Sequence, residues 1–422
     1  MRVDGVVRVP GDKSISHRSL MLAALAEGES NIGGILTSAD VHSTAHVLRA
    51  LGVRIPPLSA EISIDGHGVR AFRTPTTDLE CGNSGTTTRL MSGIAAACEF
   101  TSRFTGDSSL SRRPMQRVAR PLSAMGARFE FENNTDGLPL RIHGAALTPV
   151  RWATEASSAQ IKSAILLAGI AAGVPVEVTE PGRSRDHTER MLAALGARVR
   201  VEGTTINVAP PESGVLAPLQ MTVPGDPSSA AFMAALAALA DDGTLELPHI
   251  CLNPTRTGFF RALERMGARL EIMPGEPQGG EEVGALRVRA SHLSGITLPV
   301  EEVPSMIDEL PLLACMGARA AGVTRVQGAA ELRLKESDRI ATVVKNLLDI
   351  GVDALEHPDG FTVTGSDRPL RGTVHTHGDH RIAMAFGVLG ALPGNEITID
   401  DADCVSVSYP DFWNDVRRAT SS

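Results

Sequence analysis

Residues 9–26, VPGDKSISHRSLMLAALA, and residues 223–240, VPGDPSSAAFMAALAALA, lie at a constant offset of 214 and agree at ten of eighteen positions. A chain that carries its opening strand, turn and helix twice is built by duplication, so its fold must hold two related halves. The two copies differ where charge is concerned. Lys13 faces Pro227 and Arg18 faces Phe232, so the first copy is cationic and the second is not.

A shorter period runs inside each half. LGVRI, MGARFEF, LGARVRV, MGARLEI and IGVDAL place glycines at 52, 126, 196, 267 and 351, spaced by 74, 70, 71 and 84 residues. Each follows a run with apolar residues three or four apart and precedes an alternating segment, which predicts a helix, a glycine stop and a strand. Between them a second helix type, Ala/Leu-rich behind a polar start, begins near Lys13, Ser84, Ser158, Ser228, Ser305 and His380. The pattern predicts an α/β (α+β) chain of six repeats, three on each side of Gly225, with a ligand cleft between two globes. The last repeat, ending DFWNDVRRA, lacks the glycine stop, and PGEPQGGEEVG from Pro274 reads as an exposed hairpin loop.

Composition narrows the function. Aromatic residues make up only 3% of the chain, so the cores rest on small aliphatic side chains that allow close approach. A net charge of −9 argues against bulk nucleic-acid binding, and five scattered cysteines without a C-x-x-C argue against a disulfide framework or a zinc site. No signal or membrane-length apolar run is apparent, which predicts a cytoplasmic protein with no membrane partner.

The polar clusters sit at helix starts, where unpaired N–H groups and the helix dipole favour anions. They are Lys13 to Arg18, CGNSGTTTRL from Cys81, RRPM around Arg113, SSAQIK around Ser158, SRDHTE from Ser184, SMIDELP with Asp308, LRLKESDR with Lys335, Glu336 and Arg339, and HTHGDHR with Arg381. Spacing puts Lys335 and Arg339 at i and i+4 on one predicted helical face. Asp308 falls in an otherwise apolar predicted helix, as a costly buried carboxylate with a task or as a cap. His375, His377, Asp379 and His380 read either as metal ligands or as an anion-binding helix start. Together the clusters predict a site for one or two small polyanions with acid/base groups between them.

The motifs PGDKSISHR, GNSGTTTRL, RRPM, SAQIK, RDHTE, NPTR, LKESDR, DHR and SYPDFW occur in this order across the whole chain. In this the chain resembles the 5-enolpyruvylshikimate-3-phosphate synthases, also called 3-phosphoshikimate 1-carboxyvinyltransferases. The resemblance implies two globes, each of three βαβαββ-type units around a pseudo-threefold axis, spanning residues 12–224 and residues 1–11 with 225–422. It implies transfer of the enolpyruvyl group of phosphoenolpyruvate to the 5-hydroxyl of shikimate 3-phosphate, the sixth step of the shikimate pathway. Release of phosphate by addition and elimination requires no cofactor and no metal. A monomer and inhibition by glyphosate are expected.

Carried over position by position, the resemblance assigns Lys13, Ser14, Arg18, Ser158, Ala159, Gln160, Ser184, Arg185, Asp308 and Lys335 to shikimate 3-phosphate. It assigns Lys13, Gly85, Arg113, Gln160, Arg339 and Arg381 to phosphoenolpyruvate, and catalysis to Asp308, Glu336 and Lys13. Two positions depart from the better-known branch. Its C-terminal lysine is Val407 here, and its asparagine before the Lys-Glu pair is Glu331. GDKS, SAQIK, RDHTE and NPTR resemble the second, often glyphosate-tolerant branch, although Gly85 is not the alanine of well-known tolerant forms. The sister UDP-N-acetylglucosamine enolpyruvyl transferases carry a loop cysteine where RRPM stands here, which disfavours that alternative. A non-catalytic anion-binding protein is disfavoured by the carboxylates Asp308 and Glu336.

Overall fold

The computed structural model describes residues 1–133 and 136–420. The chain divides into two compact units, one of Gly11–Val223 and Pro277–Glu281, the other of Met1–Pro10, Pro224–Glu276 and Glu282–Ser422. The strand before each VPGD turn and the helix after it fall in different units. Gly5–Val6 pairs in parallel with Thr244–Cys251, Gly5 opposite Leu245, while the helix Lys13–Leu25 belongs to the other unit. Gln220–Thr222 pairs in parallel with Glu27–Gly33, Gln220 opposite Asn31, while Pro227–Ala238 lies across the division.

Among the described residues each unit carries three small sheets. In the unit of Gly11–Val223 they have four, three and four strands, and in its counterpart four, three and two. Three second-type helices fill the centre of each unit: Lys13–Leu25, Gly85–Ala96 and Ala159–Ala172 in one, Pro227–Ala238, Leu310–Gly317 and His380–Gly390 in the other. All of Pro227–Ala238 is buried, as an apolar-all-round helix must be. Small residues bring these helices together. A Cβ on Gly93 would lie 2.1 Å from the Ala164 carbonyl oxygen.

The outer helices end at the expected stops. Ala39–Ala50, Gln116–Met125, His187–Ala194, Gly258–Arg265 and Arg339–Asp349 are followed by Gly52, Gly126, Gly196, Gly267 and Gly351 with φ of 90°, 122°, 92°, 99° and 92°. Only glycine adopts these angles without strain. The sixth outer helix, Phe412–Thr420, is fixed instead by aromatic packing of Phe412 on Phe232, Tyr409 and Trp413.

Two expectations fail. The helix expected from Ser305 begins at Leu310, because Pro304 lies in a 3-10 turn, Val300–Ser305, a second turn Ile307–Glu309 follows, and Pro311 suits only a first helical turn. The loop after Arg269–Pro274 is not wholly exposed. Residues 277–281 join the unit of Gly11–Val223, where the fully buried Glu281 accepts a 2.7 Å contact from His187 Nδ1. Among the described residues no helix is long and apolar enough to cross a membrane.

Candidate active site

Asp12 opens the first site helix, accepting from the Ile15 N–H at 2.8 Å. That cap fixes Lys13 in the first turn, with its Nζ 3.2 Å from Asp40 Oδ2. Ser14 follows, and its carbonyl accepts from Arg18 Nη1 at 3.0 Å. Arg18 is 3% exposed and also donates to Thr188 Oγ1 at 2.7 Å and Ser163 Oγ at 2.9 Å. Three of its five N–H groups are thereby directed. Burial pulls its guanidinium down to about 10, with Glu189, Asp12 and Glu281 opposing, so it stays cationic at neutral pH. The same helix buries His17, whose Nδ1 lies 2.7 Å from Thr44 Oγ1. Thr44 bonds Thr87 at 2.7 Å, and Thr87 donates to Ser84 Oγ at 2.8 Å.

Ser84 caps the second site helix, accepting from the Thr87 N–H at 3.1 Å. Gly85 begins that helix, and a Cβ there would lie 3.3 Å from Arg113 Nη1, so the missing side chain lets the guanidinium approach the helix start. Arg113 Nη2 donates to Asn83 Oδ1 at 2.7 Å. Gln160 accepts from Arg89 and donates through Nε2 to Thr86 Oγ1 at 3.1 Å, tying the third site helix to the second. Ser158 precedes Ala159 at the start of that third helix, with its N–H 3.2 Å from Glu180 Oε1. Ser184 donates its hydroxyl to Glu180 Oε2 at 2.9 Å, and the half-buried Arg185 follows it.

The other unit holds its own charged cluster, organised on Arg339. This side chain is 1% exposed and reaches Asp308 Oδ1 at 3.1 Å, Glu336 Oε2 at 2.6 Å and Asp379 Oδ2 at 2.8 Å. Burial alone would lower its guanidinium, but the charges of Asp379, Glu336 and Asp308 outweigh it and hold it above its ordinary value. Asp379 is held below the usual carboxylate range: burial pushes it up, and Arg339 more than reverses this. Lys335 Nζ stands 3.7 Å from Asp308 Oδ1. Arg381, in the first turn of His380–Gly390, lies 3.4 Å from the buried Glu309. A carboxylate pair on one arginine with a lysine beside it can pass protons while anions are held nearby.

Several sequence expectations need correction. Lys335 and Arg339 do not share a helical face. Lys335 has extended backbone after the turn Ala330–Leu334, and Asp338 caps a helix that begins at Arg339. Asp308 sits in a 3-10 turn before its helix, and its apolar surroundings are relieved by Arg339 and Lys335. Asp379 is engaged as a helix cap and by Arg339, and His375 Nδ1 lies 3.1 Å from Asp400 Oδ2. The duplicated helix start also has a cation after all. Arg256 of the NPTR motif, 3% exposed, donates to Asp226 Oδ1 at 3.0 Å and Ser228 Oγ at 2.9 Å. Asp40 and Glu180 lie outside every motif read from the sequence, and Arg89, Arg256 and Asp379 fall inside GNSGTTTRL, NPTR and DHR with no supporting role assigned to them there.

A profile of the family EPSP synthase (3-phosphoshikimate 1-carboxyvinyltransferase) matches residues 1–416. A 3-phosphoshikimate 1-carboxyvinyltransferase of Sulfurihydrogenibium sp. (strain YO3AOP1) is 44% identical over 421 residues, 99% of this chain and 98% of that protein. One from Persephonella marina is 45% identical over 423 residues, covering 100% and 98%. The solved structure of EPSP synthase from Acinetobacter baumannii superposes with a TM-score of 0.89 at 40% identity, over 99% of this chain and 96% of that one. The six-helix-start architecture and the motif order agree with these matches, and the chain belongs to the EPSP synthase family.

Proposed function

We infer that the chain transfers the enolpyruvyl group of phosphoenolpyruvate to the 5-hydroxyl of shikimate 3-phosphate, giving 5-enolpyruvylshikimate 3-phosphate and phosphate. The observation that carries the mechanism is the sharing of Arg339 by Asp308 and Glu336, with Lys335 beside Asp308. In the addition step the hydroxyl gives up its proton as its oxygen bonds to C2 of phosphoenolpyruvate, and the methylene carbon gains a proton. In the elimination step that methyl group loses a proton as the C–O bond to phosphate breaks. The atoms balance without a further reactant. Asp308 takes the hydroxyl proton, Glu336 serves the methylene carbon, and Lys13, Arg339 and Arg381 offset the charge of the reacting anions.

Lys13, Ser14, Arg18, Ser158, Ala159, Gln160, Ser184, Arg185, Asp308 and Lys335 are the proposed contacts to shikimate 3-phosphate. Lys13, Gly85, Arg113, Gln160, Arg339 and Arg381 are those to phosphoenolpyruvate. The burial of Arg18 supports a phosphate contact, since a guanidinium removed from water gains most from an anion. A cytoplasmic monomer of 44.4 kDa is the proposed form, with light scattering as its test.

Phosphate release with phosphoenolpyruvate and each acceptor separates this reading from the sister activity. Shikimate 3-phosphate is expected to support release and UDP-N-acetylglucosamine is not; the reverse result refutes the assignment. Asp308→Asn keeps the side-chain shape and is expected to lower kcat by roughly 10²- to 10⁴-fold. Turnover within a few-fold of the parent, with weakened shikimate 3-phosphate binding, removes Asp308 from the proton path.

A further inference from the structure

Beneath the proposed shikimate 3-phosphate contacts lies a buried three-residue ion cluster that the reaction chemistry does not use. Lys162 in Ala159–Ala172 is 2% exposed, with Nζ 2.9 Å from Glu180 Oε2 and 2.8 Å from Glu189 Oε1. Glu180 and Glu189 are 2% and 4% exposed. Burying three ionisable groups is costly and contributes little stability over apolar packing, so the arrangement calls for a role beyond holding the fold.

Glu180 uses its two oxygens on different segments. Oε1 accepts from the Ser158 N–H at 3.2 Å, immediately before the helix Ala159–Ala172. Oε2 accepts from the Ser184 hydroxyl at 2.9 Å and from its N–H at 3.4 Å. The residue itself follows the strand Val176–Thr179, and its N–H donates to the Thr204 carbonyl at 3.0 Å, so the carboxylate hangs from the end of an inner strand paired on both sides. Lys162, shared with Glu189, offsets part of its charge. Without that ammonium a carboxylate beneath a phosphate-binding face would repel the ligand; with it, the group acts as a fixed double acceptor.

We propose that Glu180 is a positioning residue for shikimate 3-phosphate, one carboxylate spanning Ser158 and Ser184 and fixing the distance between the helix start and the 184–185 loop. The inference rests on the assignment of Ser158, Ser184 and Arg185 to that ligand. Its chemistry sets a sharp requirement: both oxygens must accept. A glutamine supplies one acceptor and one NH₂, so when its oxygen faces Lys162 and Ser184 its amide confronts the Ser158 N–H. An aspartate keeps the charge but is one methylene too short to reach both segments.

The test is steady-state kinetics and calorimetry on full-length Glu180→Gln, Glu180→Asp, Glu189→Gln and Arg185→Met. Glu180→Gln and Glu180→Asp are expected to raise the KM and Kd for shikimate 3-phosphate about tenfold, near 1.4 kcal/mol. The KM for phosphoenolpyruvate is expected to stay within about twofold, a split that loss of stability alone does not produce. Glu189→Gln removes the other partner of Lys162 without touching either serine, and is expected to lower Tm while leaving shikimate 3-phosphate binding unchanged. Unchanged binding in a folded Glu180→Gln variant overturns the proposal, and so does equal weakening by Glu189→Gln. Should Glu180→Gln fail to fold, Glu180→Asp carries the same comparison. Arg185→Met separates the two levels: if it too leaves binding unchanged, the ligand assignment fails, whereas if it weakens binding and the Glu180 variants do not, only the positioning role fails.

Discussion

His17 links the buried interior to the site helix and offers a quantitative test of the packing described above. It is fully buried beside Arg18, bonded through Nδ1 to Thr44, and its Nε2 has no partner among the described residues. Burial depresses its imidazolium most; Asp40 opposes this, Lys13 and Arg18 add to it, and the result is a value near 3 against 6.5 for the free side chain. The folded value lies below the unfolded one, so the neutral ring contributes stability that is present above pH 6.5 and lost as pH falls toward 3. Between pH 7.5 and 5 the unfolded chain protonates His17 and the folded chain does not, which costs roughly 2 kcal/mol. His17→Asn keeps a group at the Nδ1 position to meet Thr44 and cannot titrate. The lost ring volume lowers its stability by about 1 kcal/mol at every pH. Urea unfolding at intervals from pH 7.5 to 5 is therefore expected to show the wild type falling toward the variant and crossing it. Parallel curves over that range would refute a neutral, desolvated His17, as would a signal titrating near 6.5 in the folded wild type and missing from His17→Asn.

Two further outcomes concern Gly93 and the proposed phosphoenolpyruvate contacts. Gly93→Ala places a methyl group 2.1 Å from the Ala164 carbonyl, a backbone atom that cannot step aside, so a loss of about 1–3 kcal/mol or more is expected in thermal unfolding; an unchanged Tm refutes the helix approach. Glyphosate is expected to compete with phosphoenolpyruvate, more weakly than in forms with a lysine at the position of the half-buried Val407, and saturating inhibitor that leaves turnover untouched refutes this.

The repeat made the helices legible because it couples two local signals, an apolar period and a glycine whose backbone angle no other residue tolerates. Where a local signal competed with another, sequence reading erred. Asp338 capped a helix inside the expected Lys335–Arg339 face, and Pro304 and Pro311 displaced the helix expected at Ser305. The supports of the site were illegible for a different reason. Asp379 reaches Arg339 across 40 residues of chain, Arg256 reaches Asp226 across 30, and Glu281 reaches His187 across 94. No periodicity encodes such pairs; they exist because buried charge must be met wherever the fold brings a partner. The two VPGD helix starts show the consequence. Duplication copied the turn and helix into Asp226–Ala238, and there Arg256 is paired with Asp226 and donates to the Ser228 hydroxyl at the helix start. In the first copy Asp12 caps the helix, Arg18 is met by Thr188, Ser163 and a carbonyl, and two of its N–H groups are not taken by these three partners. One inherited scaffold thus meets a buried arginine with neutral acceptors in the first copy, as the proposed phosphate contact at Arg18 requires, and with a carboxylate in the second.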